Sequence, residues 1–274
     1  MASKSEMDQW PVANADRFTG FARTYDQYRP QPPAALVELL SQLAGTDEPA
    51  LVVDLGCGTG LSTRIWAGAA QQVIGVEPSD DMRRQAQEAT TAGNVSYRPG
   101  LSHETGLAGG CADIVTCAQS LHWMEPKGTF GEVRRILRPG GVFAAYDHDW
   151  PPTTAFWEMD AVWEDLRRRT IELDREHGVS ADVKRWPKPE HLERMRASGM
   201  FRITKETLLH QVIRGDADRL VGLARSQASI SGLLKHGLTE ADIGLDRFRT
   251  AANDALGDVP HPWHFSYRLR LGTI

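Results

Sequence analysis

The sequence predicts an α/β domain built on a doubly wound, mostly parallel sheet. Two short apolar runs, 51–55 and 73–76, are separated by a glycine-rich loop and a helical pattern, and an acid, Glu77, follows the second run. Apolar runs this short are typical of strands buried on both faces, as in parallel sheets. The alternation of strand-like and helix-like segments continues to Asp147, which favours the doubly wound fold class.

Glycine recurs at every second position of the loop after the first run, at Gly56, Gly58 and Gly60. Glycine lets the backbone turn sharply and lets a ligand approach without a Cβ in the way. Since a helical pattern begins at Leu61, the loop lies at a helix N-terminus, where free N–H groups suit an anion. A carboxylate at the tip of the next strand, Glu77, is well placed to accept both hydroxyls of a ribose. The segment therefore predicts a nucleoside-binding site.

The other strands follow from apolar periodicity and turn signals. We expect strands near 51–55, 73–77, 95–98, 112–118 and 141–147. A turn at 138–141 should lead into the fifth strand. A sixth strand is expected within 201–213 and the last at 265–271, where apolar side chains alternate.

Helical patterns divide the chain into four predicted segments. These are N-terminal lid helices (1–45), a nucleoside-binding core (46–150), a helical cap (151–200) and a C-terminal part that completes the sheet (201–274). In the lid, Phe18, Phe21, Tyr25 and Tyr28 recur at helical spacing, and a second amphipathic helix covers 32–44. In the cap, one helix face collects Phe156, Met159, Trp163, Leu166, Thr170 and Leu173. Thr239 and Asp242 resemble an N-terminal capping pair.

Composition excludes several classes of protein. The chain has 274 residues, 41% of them hydrophobic, 24% charged, and a formal net charge of −5. The negative charge argues against nucleic-acid or anionic-membrane partners, because both need a basic surface. The three cysteines have no metal-ligand spacing and suit a reducing cytoplasm. We find no leader peptide and no membrane-length apolar run, so we expect a cytoplasmic protein without a metal.

The glycine spacing argues against a dinucleotide site. The dinucleotide pattern GxGxxG needs a glycine where this chain has Leu61, because the third glycine comes one residue early. The string D-L-G-C-G-T-G at 54–60 and the string G-V-E-P-S at 75–79 instead resemble the first two motifs of class I S-adenosylmethionine (SAM) methyltransferases. L-R-P-G-G-V-F at 137–143 resembles a third signature of that family.

Two further strings narrow the resemblance. A-x-x-L-H-W at 118–123 and Y-D-Q-Y-R-P at 25–30 resemble a type 11 small-molecule subgroup that includes trans-aconitate methyltransferase-like proteins. The resemblance implies a seven-stranded sheet whose last strand inserts antiparallel beside the fifth. It also implies SAM as the cofactor and S-adenosylhomocysteine as the product.

The resemblance implies roles for particular residues of the cofactor site. The glycines should present backbone to the methionine half of SAM, Asp54 should orient the loop or reach the amino group, and Gln119 should face the methyl group. The full expected set is Asp54, Gly56, Cys57, Gly58, Gly60, Glu77, Pro78, Met82, Leu101, Ser102, Gln119, Tyr28 and Arg29. Met82 has a second reading, as packing in the first turn of a helix.

The adenine end departs from the family pattern. Many members have a Gly-Asp-Ala run after the third strand, whose aspartate contacts the adenine amino group. Here the run is P-G-L-S-H-E at 99–104, with no aspartate at that position. The backbone amides of Leu101 and Ser102, helped by the Ser102 hydroxyl, are expected to replace it.

His122 and Tyr25 are the candidate catalytic residues. An unperturbed imidazole titrates near pH 6.5, so His122 suits a general base, and the alternative is that it hydrogen-bonds backbone and fixes its loop. Tyr25 or Arg29 is expected to close over the SAM carboxylate or an acidic substrate, or else to pack a helix. His122, Trp123, Trp157 and Trp186 are the candidate residues for the methyl acceptor, with core packing as the alternative for the tryptophans.

These observations predict methyl transfer from SAM to a small molecule, with a carboxylate or hydroxyl oxygen favoured and carbon possible. The alternatives are an NAD-dependent oxidoreductase and a non-catalytic SAM-binding protein. The identity of the acceptor and the oligomeric state do not follow from the sequence, because fold does not determine function.

Overall fold

A computed structural model describes Asn14 and residues 19–274 of the chain. Among these residues, seven strands form a single sheet. They are β1 (Leu51–Leu55), β2 (Gln72–Val76), β3 (Val95–Arg98), β4 (Ala112–Ala118), β5 (Leu137–His148), β6 (Ile203–Gly215) and β7 (His261–Thr273).

Helices cover both faces and one end of this sheet. In the described part of the chain they are α1 (Ala22–Tyr28), α2 (Ala34–Leu43), α3 (Leu61–Arg64), α4 (Asp80–Glu88), α5 (Pro126–Ile136), α6 (Glu158–His177), α7 (His191–Ala197), α8 (Ala217–Arg225), α9 (Ala228–Lys235), α10 (Glu240–Ile243) and α11 (Leu245–Leu256). Two short 3₁₀ turns, Leu121–Trp123 and Lys188–Glu190, lie in the loops that border the site described below.

The strand order is β3-β2-β1-β4-β5-β7-β6, and the first five of these strands are parallel. Strand β7 is antiparallel to both of its neighbours, β5 and β6. The predicted doubly wound sheet with an antiparallel last strand is therefore confirmed. Neighbouring connections diverge between β1 and β4, and ligands bind at the carboxyl ends of the strands at such a switch point.

Strands β5 and β7 are longer than the sequence predicted, and β6 is shifted by two residues towards the C-terminus. The expected turn at 138–141 lies inside β5, because the pairing of β4 with β5 jumps from Ala112↔Leu137 to Ile114↔Val142. Such a bulge places extra residues on one strand without ending it. Gly140 has a positive φ of 78°, which only glycine adopts without strain, and its N–H bonds the carbonyl of Ile274.

The core divides into two layers because alternate side chains of a strand point to opposite faces. Val52, Trp66 and Ile114 belong to the larger layer, which α6, α8 and α11 complete. Val53, Val115 and Phe143 belong to the layer under α5. Burial on both faces explains why the central strands are apolar without alternation.

The predicted helix of the cap is confirmed as α6. Met159, Trp163, Leu166, Thr170 and Leu173 are its buried residues, as the periodicity indicated. The predicted N-terminal capping pair of α10 is also confirmed, because Thr239 and Asp242 form a full capping box.

Helix α1 contains Tyr25 and Tyr28, and α2 lies within the expected 32–44, whereas the expected stripe member Phe18 and the tail 1–13 lie outside the described residues. The division into four segments stays a prediction. None of the helices in the described part of the chain has the length and apolar content that a membrane crossing requires.

Candidate functional site

A large cavity lies at the carboxyl ends of the central strands. It holds about 1240 Å³ of space, part of it open to solvent. The predicted site residues that line it are Tyr25, Arg29, Gly56, Cys57, Gly58, Glu77, Pro78, Met82, Leu101, Ser102, Gln119 and Trp123. The fold thus brings most of the predicted set together around one space, which we call the first cavity.

The glycine loop gives the first cavity its backbone wall. Gly56 and Gly58 have φ values of 62° and 56°, and both line the cavity. A Cβ built on Gly58 would meet no atom within 4 Å, so this backbone borders open space. Gly60 does not line the cavity: a Cβ there would lie 2.3 Å from the Tyr97 hydroxyl. Gly56 and Gly58 therefore suit ligand approach, whereas Gly60 allows close packing.

Asp54 positions the loop from behind and does not line the cavity. Its carboxylate is fully buried and accepts hydrogen bonds from Ser62 (2.6 Å), Thr63 (2.7 Å) and Thr116 (2.8 Å). Burial raises the pKa of this carboxyl, and the three hydroxyl bonds oppose that rise. Because Ser62 and Thr63 belong to the first turn of α3, Asp54 ties the end of β1 to the helix that follows the loop. Of its two expected roles, the geometry fits orientation of the loop.

Glu77 has its carboxylate in the lining of the first cavity. Oε2 accepts a hydrogen bond from the Gly58 amide at 3.0 Å, and Oε1 accepts one from the Ser79 amide at 2.9 Å. A carboxylate has about four acceptor positions, so each oxygen keeps capacity for a further donor. Burial raises the pKa of Glu77, which the two amide bonds oppose. The bonded side chain is held in one orientation, as recognition of a diol requires.

The expected adenine end is formed by the loop after β3. The Leu101 amide donates to the carbonyl of Glu104 at 3.3 Å, so this amide is engaged within the loop and does not point into the cavity as expected. The Ser102 hydroxyl lies 2.8 Å from that of Thr129. Met82 is buried in the first turn of α4 and also lines the cavity, so both readings of this residue are compatible with its position.

A second cavity, of about 980 Å³, adjoins the first. Tyr25, Arg29, Gln119 and Trp123 line both cavities. The second cavity is completed by His122, Trp150, Arg185, Trp186, Pro187, Lys188, Gln227, Ala228 and Ser229. The cap residues 185–188 therefore face the loop after β4 across this space.

Gln119 lies at the junction of the two cavities in an unusual backbone conformation. Its φ of 53° is in the left-handed region, which non-glycine residues rarely adopt. Its amide donates to the carbonyl of Tyr146 at 2.8 Å, and its side-chain oxygen accepts a hydrogen bond from Lys188 at 2.7 Å. Such strain persists where surrounding contacts hold it, and it is found most often at functional sites.

His122 lies buried between the second cavity and Asp147. Its Nδ1 is 3.8 Å from Asp147 Oδ1, beyond hydrogen-bond distance, and has no bonding partner in the described structure. Burial lowers the pKa of His122 well below 6.5, nearby Lys188 lowers it further, and Asp147 opposes this. The imidazole is therefore neutral at pH 7. The His122 carbonyl also accepts a hydrogen bond from the Trp186 amide at 2.9 Å, which joins this loop to the cap.

The lid residues have different surroundings. Arg29 donates to the side chain and carbonyl of Ser226 and lies over the rings of Tyr25 and Trp150, at 4.8 and 4.7 Å from their centres. Tyr28 lines neither cavity, because its ring packs against Gly222 of α8. The structure thus places Tyr25 and Arg29, but not Tyr28, at the site.

The two tryptophans expected from the cap also separate. Trp186 lines the second cavity, whereas Trp157 is 74% exposed at the start of α6 and lines neither cavity. The helical periodicity of the cap did not predict the exposure of Trp157, because this residue lies just before the helix begins.

Comparison with known proteins finds similarity to methyltransferases. Residues 53–145 match the family model described as a methyltransferase domain. A Dictyostelium discoideum protein named as a methyltransferase is 30% identical over 161 residues, which is 59% of this chain and 60% of that protein. A Saccharomyces cerevisiae protein named as an S-adenosylmethionine-dependent methyltransferase is 30% identical over 145 residues, 51% of this chain and 49% of that protein.

A solved structure extends the similarity over nearly the whole chain. It is described as a type II methyltransferase from Anaeromyxobacter dehalogenans and is 26% identical, with a TM-score of 0.61; the match covers 90% of this chain and 98% of that one. The chain therefore contains a segment similar to the methyltransferase domain family, within a fold similar to that of this solved structure. It spans about half to three fifths of the length of the curated relatives described above.

Sequence reasoning missed several residues of this candidate site. Trp150, Arg185 and Lys188 line the second cavity, and Asp147 lies behind Lys188. Asp147 and Trp150 stand at the end of the fifth predicted strand, so their position at the carboxyl edge was a usable signal. Arg185 and Lys188 had no such signal, since they lie in an irregular segment between helices α6 and α7.

The chemistry of the lining suits an organic ligand. In the described part of the chain, no group of three or more His, Cys, Asp or Glu side chains is arranged to hold a metal ion. The first cavity instead offers backbone amides and a fixed carboxylate, and the second offers aromatic rings and cations. Their junction at Gln119 is where a ligand in one cavity would meet a ligand in the other.

Proposed function

We propose that this protein transfers the methyl group of SAM to an oxygen atom of a small-molecule acceptor. The observation that supports this most is the pair of adjoining cavities with different chemistry. The first suits a nucleoside through Glu77 and the glycine loop, and the second is walled by aromatic rings and cations. Tyr25, Arg29 and Gln119 line both, so two bound molecules would approach each other there.

The first cavity fits SAM by the donors and acceptors that it holds. Glu77 keeps acceptor capacity for a ribose diol after bonding Gly58 and Ser79. The open backbone at Gly58 leaves room for the ligand. Arg29 provides a cation suited to the carboxylate of the methionine part. SAM would supply a methyl group activated on a sulfonium sulfur; the acceptor oxygen forms the new C–O bond, and the electron pair of the broken S–C bond stays on sulfur.

The protein contributes alignment more than acid–base chemistry. Holding two reacting groups in a defined geometry lowers a barrier by several kcal/mol, about 7–11 in the best intramolecular models. The hydrogen bonds of Gln119 and the ring walls of Tyr25 and Trp123 are suited to that task. His122 is a weak base because burial and Lys188 lower its pKa. This favours an acceptor oxygen that is already ionised, such as a carboxylate, over an alcohol.

Binding and product analysis test the proposal. Calorimetric titration of the wild-type protein with SAM, S-adenosylhomocysteine and NAD should give micromolar affinity for the first two and none for NAD. Incubation with methyl-labelled SAM and an acceptor panel, followed by mass spectrometry, should yield a methylated product with equimolar S-adenosylhomocysteine. NAD binding alone would favour an oxidoreductase, and SAM binding without turnover would favour a non-catalytic role. Failure to bind either SAM or its product would overturn the proposal.

A further inference from the structure

The second cavity has a strong imbalance of charge. Arg29, Arg185 and Lys188 line it, while none of the described residues in its lining is an aspartate or a glutamate. Arg29 is engaged by Ser226, but Arg185 forms no ion pair with any described carboxylate and lies over the Trp123 ring at 4.7 Å. A cavity lined by charges of one sign attracts ligands of the opposite sign.

Lys188 is held in place by Asp147, which does not line the second cavity, and by Gln119, which does. Its Nζ lies 2.8 Å from Asp147 Oδ1 and 2.7 Å from Gln119 Oε1. An ammonium group has three N–H donors, so one remains for a ligand. Burial lowers the pKa of Lys188, and the neighbouring Asp147 opposes that change and favours the charged form.

The ion-pair cluster behind Lys188 does not cancel its charge. Asp147 is also paired with Arg270 at 2.7 Å, and Arg270 pairs in turn with Glu206 at 3.2 Å. Arg268 pairs with the same Glu206 at 3.0 Å. The connected cluster therefore has three cations (Lys188, Arg268 and Arg270) and two carboxylates (Asp147 and Glu206), which leaves one net positive charge. Of the three cations, only Lys188 reaches the second cavity.

Planar aromatic rings form much of the wall of the second cavity. Four aromatic side chains line it, Tyr25, Trp123, Trp150 and Trp186. Aromatic faces favour stacked or edge-on contact with other planar groups, which adds to simple burial of apolar area. The cavity thus combines cationic groups with walls that select for planarity.

We propose that the second cavity is the acceptor site and that its acceptor is a flat organic anion, whose charged group is held by Lys188 and Arg185. The proposal rests on the methyl transfer proposed above and names the substrate class of that same site. Lys188 touches Gln119 at the junction of the cavities, so an anion held there lies next to the first cavity. Arg185, on the same cap segment, adds a second donor group.

Matched acids and amides test the proposal directly. The probes are trans-cinnamate and benzoate, each compared with its uncharged amide, titrated into the protein saturated with S-adenosylhomocysteine. Calorimetry gives the affinity, and the fluorescence of the lining tryptophans reports occupancy. At least one acid should bind more tightly than its amide by about tenfold or more. This ratio of affinities corresponds to the loss of one charge-assisted contact in the amide. Equal binding of acids and amides, or no binding of any probe, would overturn the proposal.

Substitutions test whether Lys188 and Arg185 cause the preference for acids over amides. In the doubly substituted protein Lys188→Gln, Arg185→Gln, acid and amide should bind within about twofold of each other, whereas Lys188→Arg should keep the preference because it keeps the cation. Lys184→Gln is the matched control: it removes a charge next to Arg185 from a residue that does not line the cavity. Survival of the preference in the double variant, or its loss in the control, would contradict the assignment.

The affinity for S-adenosylhomocysteine separates the two proposals. It should be the same in the wild type and in all these variants, which also shows that they are folded. If the wild type binds no S-adenosylhomocysteine, the proposed methyl transfer is wrong, and the acids and amides are then compared on the protein alone. The charge preference of the second cavity is thereby judged independently of the cofactor.

Discussion

The first cavity is built mainly from short stretches that directly follow strands, whereas the second collects residues from five separate parts of the chain. The loops after β1, β2, β3 and β4 provide most of the first lining. The second combines Tyr25 and Arg29 of the lid, the loop after β4, Trp150 after β5, the cap at 185–188, and 227–229 at the start of α9. The difference teaches that the nucleoside half of such a site is local, because it depends on backbone and one acid, while the acceptor half is assembled by tertiary packing.

The largest expected effect tests ligand recognition by the first cavity. Glu77→Ala removes the carboxylate that fits a ribose diol and should weaken SAM binding by about 2 kcal/mol or more, roughly 30-fold, as expected for hydrogen bonds to a charged group. Calorimetric titration measures this loss. Glu88→Ala, an exposed acid on the same helix α4 that follows Glu77, is the control and should bind SAM as the wild type does. Unchanged binding in Glu77→Ala would show that the first cavity recognises its ligand by other groups.

A pH-dependent effect of similar size tests the packing beside the second cavity. Burial lowers the pKa of His191, at the start of α7, to about 4, although Asp147 opposes the change. Below pH 6.5 the unfolded chain takes up a proton that the folded chain does not, so the free energy of unfolding falls as the pH drops towards 4. At pH 5 this group alone should cost about 2 kcal/mol relative to pH 7.

Denaturant unfolding at pH 7 and pH 5 measures that loss. His191→Gln does not titrate and should lose about 2 kcal/mol less than the wild type over this range. His122 and His148, whose pKa values burial also lowers, contribute loss of the same sign in both proteins. His210→Gln, an exposed histidine on β6, should behave as the wild type. An equal pH dependence for His191→Gln and the wild type would contradict the prediction.

A smaller effect separates two tryptophans that the sequence treated alike. Trp186→Ala removes one wall of the second cavity and should raise the acceptor KM by about tenfold, near the upper end of the worth of an aromatic contact. The KM for SAM should change little. Trp157→Ala, in which an exposed side chain outside both cavities is removed, should leave both KM values unchanged. Similar KM changes in the two variants would refute the assignment of the second cavity to the acceptor.

The smallest effect concerns His122. Because its pKa lies well below 6.5, the imidazole is a poor proton acceptor, and an ionised acceptor oxygen needs none. His122→Gln should therefore lower kcat by less than about fivefold, or about 1 kcal/mol. Steady-state kinetics between pH 6 and pH 9 should show no inflection that the substitution removes. A loss of about a hundredfold or more would instead identify His122 as the general base.

Short-range sequence patterns predicted much of the lining of the first cavity. Gly56, Gly58, Glu77 and the central strands were predictable because turn geometry and burial on both faces impose residue types at close spacing, whereas the place of the last strand followed from the family resemblance. Interpretation of Asp54 needed the structure, since only the fold shows that its carboxylate is surrounded by three hydroxyls. The engaged Leu101 amide was likewise beyond sequence reasoning, because a backbone hydrogen bond within a loop leaves no mark in residue type.

The sequence by itself determined the sheet, the order of its elements along the chain and the glycine-rich loop, because these depend on periodicity and on short-range backbone constraints. Only the tertiary structure decided which aromatic and basic side chains meet. It set Lys188 against Asp147 and Gln119, brought Arg185 over Trp123, and left Tyr28 and Trp157 outside both cavities. Such contacts join residues far apart along the chain, and their formation depends on how whole elements pack, which no local pattern encodes.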